Sequence, residues 1–226
     1  MLVLALDTTT RSGSCAVARA GVVLREQANA SPNAQAERLP GDLMTLLDHA
    51  GVTVGEIELF AVATGPGSFT GLRIGIATMQ GLAFAANKPL IGVSGFDALA
   101  SVAGSEGRVA TWVDAWRGEV FAALYEDGRE IEPPTVARPG DLLEQLRNAP
   151  VRFVGDGAVT HGDVIRRALG DDARVIDPAA PLLAGTIALL AAASAAAGEC
   201  PPPHAIRPLY VRRPDAELAR DARTTK

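Results

Sequence analysis

The side chains able to do chemistry in this chain are few and scattered. Three histidines, His49, His161 and His204, lie far apart, with no HExxH run and no His, Cys or Asp cluster at ligand spacing. A structural or catalytic metal needs three or four such donors converging on one point. No metal site is expected, and the histidines read as surface or helix-end residues. Cys15 and Cys200 belong to no CxxC, so both read as reduced thiols. No GxSxG elbow occurs, and Ser68 and Thr70, without a visible base, read as capping residues.

One segment stands apart: Gly65, Pro66, Gly67, Ser68, Phe69, Thr70, Gly71, Leu72 and Arg73. It joins an apolar strand pattern to a long helical one, where a glycine-rich turn can aim backbone N–H groups at an anion. The plainer alternative is a tight strand-to-helix turn with Ser68 or Thr70 as N-cap. It is no Walker loop, because no GK[ST] follows and no lysine lies within reach. Small residues of the helix (Gly71, Gly75, Thr78, Gly81, Ala85) share one face, and Leu72, Ile76, Met79 and Ala83 a neighbouring one. A helix apolar nearly all round must be covered on more than one side. One cover is its own sheet; the other is either the rest of the monomer or a partner helix approaching over the glycines.

The elements that must position these residues fall into two similar series. Apolar runs at 2–6, 14–20 and 22–28 read as three strands, with a turn at Ala20-Gly21. Leu39, Leu43, Leu46, Leu47 and Ala50 recur at helical spacing and stop at Gly51. A strand at 59–64, a helix at 71–87 and a strand at 89–93 follow. After a turn at 104–107 the pattern restarts, with strands at 108–114, 119–125 and 131–136, the last demoted to an edge by Pro133 and Pro134. A helix at 140–148, a strand at 151–155, a helix at 163–169, a strand at 174–176 and a helix at 181–197 complete it.

Each series opens on a strand ending in aspartate, Asp7 or Asp114, followed by a hairpin-like pair. Duplication of a βββαβαβα unit accounts for this, and it is the α/β architecture of the two-lobed actin-like ATPases, an RNase H-like fold. The expected lobes are 1–104, carrying the partner-binding helices, and 105–226, whose last helix and tail can pack back on the first. In that fold the turns after Asp7 and Asp114 are the places of two phosphate loops with a magnesium-binding aspartate. Here Thr8 and Thr9 stand where a glycine usually follows, and β-branched residues restrict approach to phosphate. Asp7, Thr8, Thr9, Asp114, Gly155 and Gly157 therefore read as inherited but degraded nucleotide loops. Gly155-Asp156-Gly157 is either an adenosine-side remnant or simply the end of a strand.

Composition narrows the function classes. The chain has 226 residues, 48% hydrophobic and 21% charged, with a formal net charge of −5. That profile suits a globular protein and argues against a broad nucleic-acid surface. Arg212, Arg213, Arg220 and Arg223 near the end alternate with Asp215, Glu217 and Asp221, which reads as a solvated tail. The apolar start stops at Asp7, and the Ala-rich run 186–197 is too short to cross a bilayer. The expectation is a cytoplasmic protein without membrane contact.

GPGSFTGLRIGIA, the opening LALDTTTRSGSCAVA, VDAWRGEVFAALY and the late PLYVRR together resemble the TsaB family, also called YeaZ, essentially end to end. The resemblance implies a non-catalytic subunit that binds and supports a paralogous TsaD-type transferase. That enzyme forms N6-threonylcarbamoyladenosine at position 37 of tRNAs reading ANN codons. A small P-loop ATPase of the TsaE type joins the assembly, the chain forms a homodimer when alone, and tRNA is met only indirectly. The transferase relatives carry a His-x-x-x-His metal motif on their first long helix, and SPNAQAERLPGDLM in that region has no histidine. No cofactor is expected to be required, with ATP or ADP at a subunit junction left open. The expected partner contacts are Leu39, Leu43, Leu46, Gly75, Ile76 and Met79. The alternatives are an actin-like-fold kinase or ATPase and, more remotely, an M22-type peptidase.

Overall fold

The computed structural model describes residues 1–10, 13–28, 35–147 and 149–212. The first series consists of β1 (Leu2–Asp7), β2 (Ser14–Arg19), β3 (Val22–Ala28), α1 (Gln35–Ala50), β4 (Leu59–Ala63), α2 (Phe69–Ala86), β5 (Leu90–Val93) and α3 (Gly95–Ala103). The second consists of β6 (Arg108–Asp114), β7 (Val120–Glu126), β8 (Arg129–Ala137), α4 (Pro139–Gln145), β9 (Val151–Val154), α5 (Asp156–Thr160), α6 (Gly162–Leu169), β10 (Ala173–Val175) and α7 (Ala184–Ala196).

The two series build two sheets of one topology, β3-β2-β1-β4-β5 and β10-β9-β6-β7-β8. In each, the central strand pairs antiparallel with the hairpin strand after it and parallel with the later strand on its other side. The duplication expected from the sequence is thus present in strand order and sense, and it gives the two-sheet fold class.

Strand periodicity sorts the side chains into layers. On β1, Leu2, Leu4 and Leu6 face an outer core with α1 and α2, and Val3 and Ala5 face inward. On β7, Val120, Ala122 and Leu124 face an outer core with α4 and α6, and Phe121, Ala123 and Tyr125 face inward. Between the sheets lies one shared core, rich in alanine, in which α3 and α7 run. Small inward residues (Ala5, Ala16, Ala18, Ala61, Ala63) leave room for a helix layer between two sheets. An apolar helix such as α7 suits burial between the first sheet and α3.

The helices are exchanged. α3 closes the first series yet packs on β6, β7 and β9, and α7 closes the second yet packs on β1, β2, β3, β4 and β5. Their ends are held across the divide. Ser14 Oγ accepts from the N–H groups of Leu183 and Ala184 at 3.3 and 3.0 Å, and Glu26 accepts from Gly185 N–H at 2.8 Å. These serve the orphan donors at the start of α7. At the other end of the pair, Arg152 of β9 donates to the carbonyls of Ala103 and Gly104 that close α3.

Several sequence expectations shift. The segment Gly95–Ala103, given no element above, is α3, and the short α5 also lacks a counterpart. α4 ends at Gln145, whereas its expected end at 148 and the tail from 213 lie outside the described residues. α2 starts at Phe69, two residues early, because Ser68 caps it, and it ends on Asn87 in the left-handed region at φ 52°.

Ser14 is fully buried and caps a helix of the other series, so Ser14→Ala leaves buried N–H groups without a partner. We expect a loss of about 1–3 kcal/mol in urea unfolding, with the native fold retained by circular dichroism.

Candidate functional site

Four loops converge at the carboxyl ends of the central parallel strands, where open α/β sheets place ligands. Two follow β1 and β6, and two follow their parallel neighbours β4 and β9. The halves use matched geometry. Asp7 Oδ1 accepts from Thr9 N–H at 2.8 Å, and Asp114 Oδ1 accepts from Trp116 N–H at 2.9 Å, the same two-residue reach. Gly65 after β4 has φ 113° and Gly155 after β9 has φ 111°. A Cβ on Gly155 would lie 2.0 Å from the Trp112 carbonyl oxygen, and one on Gly157 3.0 Å from it. Those glycines let α5 sit directly on the backbone of β6, which accounts for them without a nucleotide.

The first loop is saturated by its own chain. Asp7 is fully buried, and its carboxylate also accepts from Thr9 Oγ1 at 2.6 Å and Thr10 Oγ1 at 3.0 Å. Burial raises the Asp7 carboxyl above its ordinary value, against the pull of those hydrogen bonds. Thr8 Oγ1 donates to the Gly71 carbonyl at 2.7 Å, and Ser68 N–H donates to the Thr9 carbonyl at 3.1 Å. The loop is therefore pinned under the start of α2.

That pinning explains the glycines of the signature segment. A Cβ on Gly67 would lie 2.3 Å from Thr9 O, one on Gly71 2.1 Å from Thr8 O, and one on Gly75 2.1 Å from Thr8 Oγ1. The three positions, four residues apart, form one line against which Thr8 and Thr9 rest. The close approach over Gly71 and Gly75 is thus made by this chain's own loop, and the idea of a partner helix there is corrected. Gly81 differs, with nothing within 4 Å of an added Cβ. Of the capping alternatives, Ser68 is the N-cap, accepting from Gly71 N–H at 3.2 Å.

The second loop is a tight hairpin. Ala115 N–H bonds Glu119 O at 3.0 Å and Glu119 N–H bonds Trp116 O at 3.1 Å, while Trp116, Arg117 and Gly118 all have φ between 57° and 75°. Left-handed backbone is unusual for a bulky residue, and it leaves the Trp116 ring 44% exposed. Asp114 N–H is held by Asp156 Oδ1 at 2.9 Å. A C-terminal strap, residues 200–212, crosses the same end of the molecule. Ile206 is buried in the α2 core, Leu209 N–H bonds Thr64 O at 2.7 Å, and Arg212 bonds Ala115 O at 2.9 Å and pairs with Glu119. The amino-acid pattern, read above as a tail able to pack back on the first lobe, marks neither Ile206 nor Leu209 as its anchors.

The six expected partner contacts are not on the surface. Leu39, Leu43, Leu46, Gly75, Ile76 and Met79 are buried, the five side chains at 6% exposure or less in the core between α1, α2 and the first sheet. The correction is physical: a helical apolar stripe packs first on its own sheet. What α1 and α2 present outward is Met44 (53% exposed), Phe69 (43%), Arg73, Ala77, Gly81 and Phe84 (84%). Among the described residues, no three His, Cys, Asp or Glu side chains are grouped to hold a metal, and no helix is long and apolar enough to cross a membrane. A groove of about 800 Å³ between α3 and α7, lined by Ser94, Asp97, Tyr125 and Glu199 among others, involves none of these loops.

Comparison with known proteins places this geometry. A family model described as TsaD, tRNA N6-adenosine threonylcarbamoyltransferase, matches residues 29–220. The tRNA threonylcarbamoyladenosine biosynthesis protein TsaB of Escherichia coli K12 is 34% identical over 167 residues, 70% of this chain and 71% of that protein. TsaB of Bacillus subtilis 168 is 29% identical over 177 residues, 75% of this chain and 77% of that protein. The solved structure of YeaZ from Pseudomonas aeruginosa superposes with a TM-score of 0.73 at 32% identity, covering 92% of this chain and all of that one.

The two kinds of glycine in α2 make a contrasting test. Gly75→Ala drives a methyl into Thr8 Oγ1 and should cost at least about 2 kcal/mol through overpacking and the strained Thr8–Gly71 bond. Gly81→Ala meets open space and should gain about 0.5–1 kcal/mol from helix propensity. Chemical denaturation of both variants checks the contrast. Asp7 makes a pH test. Its folded carboxyl is raised above 3.8, so its contribution is complete below that pH and is lost as pH rises through the raised value. Asp7→Asn should therefore gain in Tm relative to wild type as pH is raised, and a difference that stays constant from pH 4 to 8 would contradict the assignment.

Proposed function

This chain belongs to the TsaB (YeaZ) family, within the wider family of the tRNA N6-adenosine threonylcarbamoyltransferases, and on that premise we propose that it is a non-catalytic subunit which docks on a TsaD-type transferase and supports its activity. It is a protein of tRNA threonylcarbamoyladenosine biosynthesis. The observation that carries the docking reading is the outer face of α2. On a helix whose other sides are buried, Ala77, Gly81, Phe84 and Ala85 stand exposed, with Phe84 at 84%. A bare phenylalanine among small residues on a stable helix suits a close helix-to-helix contact.

Two further features support a non-catalytic role. The loop after β1, which in a nucleotide-binding relative would approach phosphate, has its threonine hydroxyls engaged with Asp7 and Gly71. The helix α1 carries no histidine before His49 in its last turn, so the His-x-x-x-His pair of the transferase relatives has no counterpart. On this reading the chain needs no cofactor of its own, and any ATP or ADP is held at a junction with a partner. A TsaE-type ATPase joins the assembly, substrate tRNA is modified by the transferase at position 37, and the α2 face pairs with a second copy when the transferase is absent.

Reconstitution tests it. Transferase, P-loop ATPase, threonylcarbamoyl-adenylate supply and an ANN-reading tRNA should form little modified adenosine without this chain and full product with it; full product in its absence overturns the reading. Phe84→Asp should leave the unfolding free energy within about 1 kcal/mol of wild type, because the ring is 84% exposed, yet abolish co-purification with the transferase.

A further inference from the structure

The first turn of α2 carries a second kind of surface. The Arg73 guanidinium carbon lies 3.9 Å from the centre of the Phe69 ring, and Arg73 Nε donates to the Tyr210 hydroxyl at 3.0 Å. The Phe69 and Tyr210 rings are 5.4 Å apart. Both rings are substantially exposed, Phe69 at 43% and Tyr210 at 39%. Three side chains from two distant parts of the sequence thus assemble one patch.

Its members are held in place before any partner arrives. Phe69 and Arg73 are on a helix, one turn apart. Tyr210 belongs to the strap, fixed on one side by Leu209 to Thr64 and on the other by Arg212 to the hairpin after β6. The guanidinium is stacked beneath by Phe69 and oriented at Nε by Tyr210. Two arginines near the same end or the inter-sheet core engage their terminal amino groups within the chain, Arg152 on carbonyls closing α3 and Arg212 on Ala115 and Glu119. Among the described residues, the terminal amino groups of Arg73 have no hydrogen bond or ion pair.

A planar guanidinium with its amino edge open is a bidentate receptor for a carboxylate. Stacking and the Tyr210 bond remove much of the rotamer entropy that binding would otherwise lose. The flanking rings can exclude water from the pair once a partner covers them, the arrangement of an interface anchor. The same helix continues outward as an apolar face through Ala77 to Phe84, which suits a protein partner, and the net charge of −5 disfavours RNA.

We propose that Phe69, Arg73 and Tyr210 form the anchor of the partner interface, with the Arg73 fork gripping an aspartate or glutamate carboxylate on the docked protein. This rests on the docking reading above, names the chemistry of the contact and makes the strap part of it.

The test measures binding of the intact chain to its transferase by calorimetry, alongside melting curves of each variant. Arg73→Lys keeps the charge and loses the fork, Tyr210→Phe keeps the ring and loses the orienting hydroxyl, and Arg73→Glu reverses the charge. We expect about tenfold weaker binding for Arg73→Lys, a smaller loss for Tyr210→Phe and at least about a hundredfold loss for Arg73→Glu, corresponding to interface-anchor effects. Melting temperatures should be nearly unchanged. Replacing the matching acidic residue of the transferase by lysine should restore binding to Arg73→Glu. If Arg73→Glu binds as tightly as wild type while Phe84→Asp does not bind, docking on α2 stands and this anchor falls. If the wild-type chain does not bind the transferase, both fall. Should Arg73→Glu instead lose affinity for tRNA alone, the patch serves RNA and the proposal is wrong.

Discussion

Everything in this molecule is conditioned by two sheets sharing a single layer of two helices. A sheet needs its apolar face covered, and here α3 and α7 cover the inner faces of both sheets, each helix crossing to the sheet its own series did not build. That exchange sets the composition. On β1 the inner positions are Val3 and Ala5 where the outer ones are leucine, which leaves space between the sheets for a helix. It also sets the polar bonds. Ser14 and Glu26 serve the start of α7, and Arg152 the end of α3, so the buried helix ends are satisfied only when the halves are together. Neither half has a complete core without the other.

With the halves fixed in this way, the loops at the strand ends meet at one end of the molecule, and the duplication permits a direct comparison. Both aspartates hold the N–H two residues on, and both parallel neighbours are followed within two residues by a glycine of nearly identical φ. The halves then diverge. In the first, α2 begins so close to the loop that Gly67, Gly71 and Gly75 lie against Thr8 and Thr9, and the threonine hydroxyls turn inward. In the second, α5 is one short turn, and the hairpin stands out with Trp116 in the solvent. One frame thus carries a buried, self-satisfied loop and an exposed, strained one. The strap then ties the two sides, from Thr64 to Ala115.

Much of this frame can be read from the amino-acid order, since strand alternation and the repeat of a strand ending in aspartate are local patterns. α3 is harder because GFDALASVA is short and apolar on more than one side, which suits a strand or a buried helix equally. The candidate site is legible in its glycines but not in their cause. A line of small residues along a helix signals close approach, and only the tertiary structure shows that the approaching group is Thr8 rather than another protein. The same limit applies to Leu39, Leu43, Leu46, Ile76 and Met79. A periodic apolar stripe announces burial without saying against what, and here it is their own sheet. The exposed Phe84 and the Phe69, Arg73 and Tyr210 patch carry no periodic signal, because they lie outside the apolar stripe that packs on the sheet.

A catalytic loop needs groups left unsatisfied until substrate arrives, since a hydrogen bond already made inside the protein must be broken before its atoms can serve a ligand. Around Asp7 the hydroxyls of Thr8, Thr9 and Thr10 are spent on a carbonyl and on the buried carboxylate. Freeing them would expose three donors and disturb the start of α2, whose glycines fit only the present arrangement. The unspent interactions are at the surface instead: a phenylalanine without a cover, an arginine with its amino edge open, a tryptophan on a hairpin. On the docking reading, these surface groups are the ones a partner protein would complete.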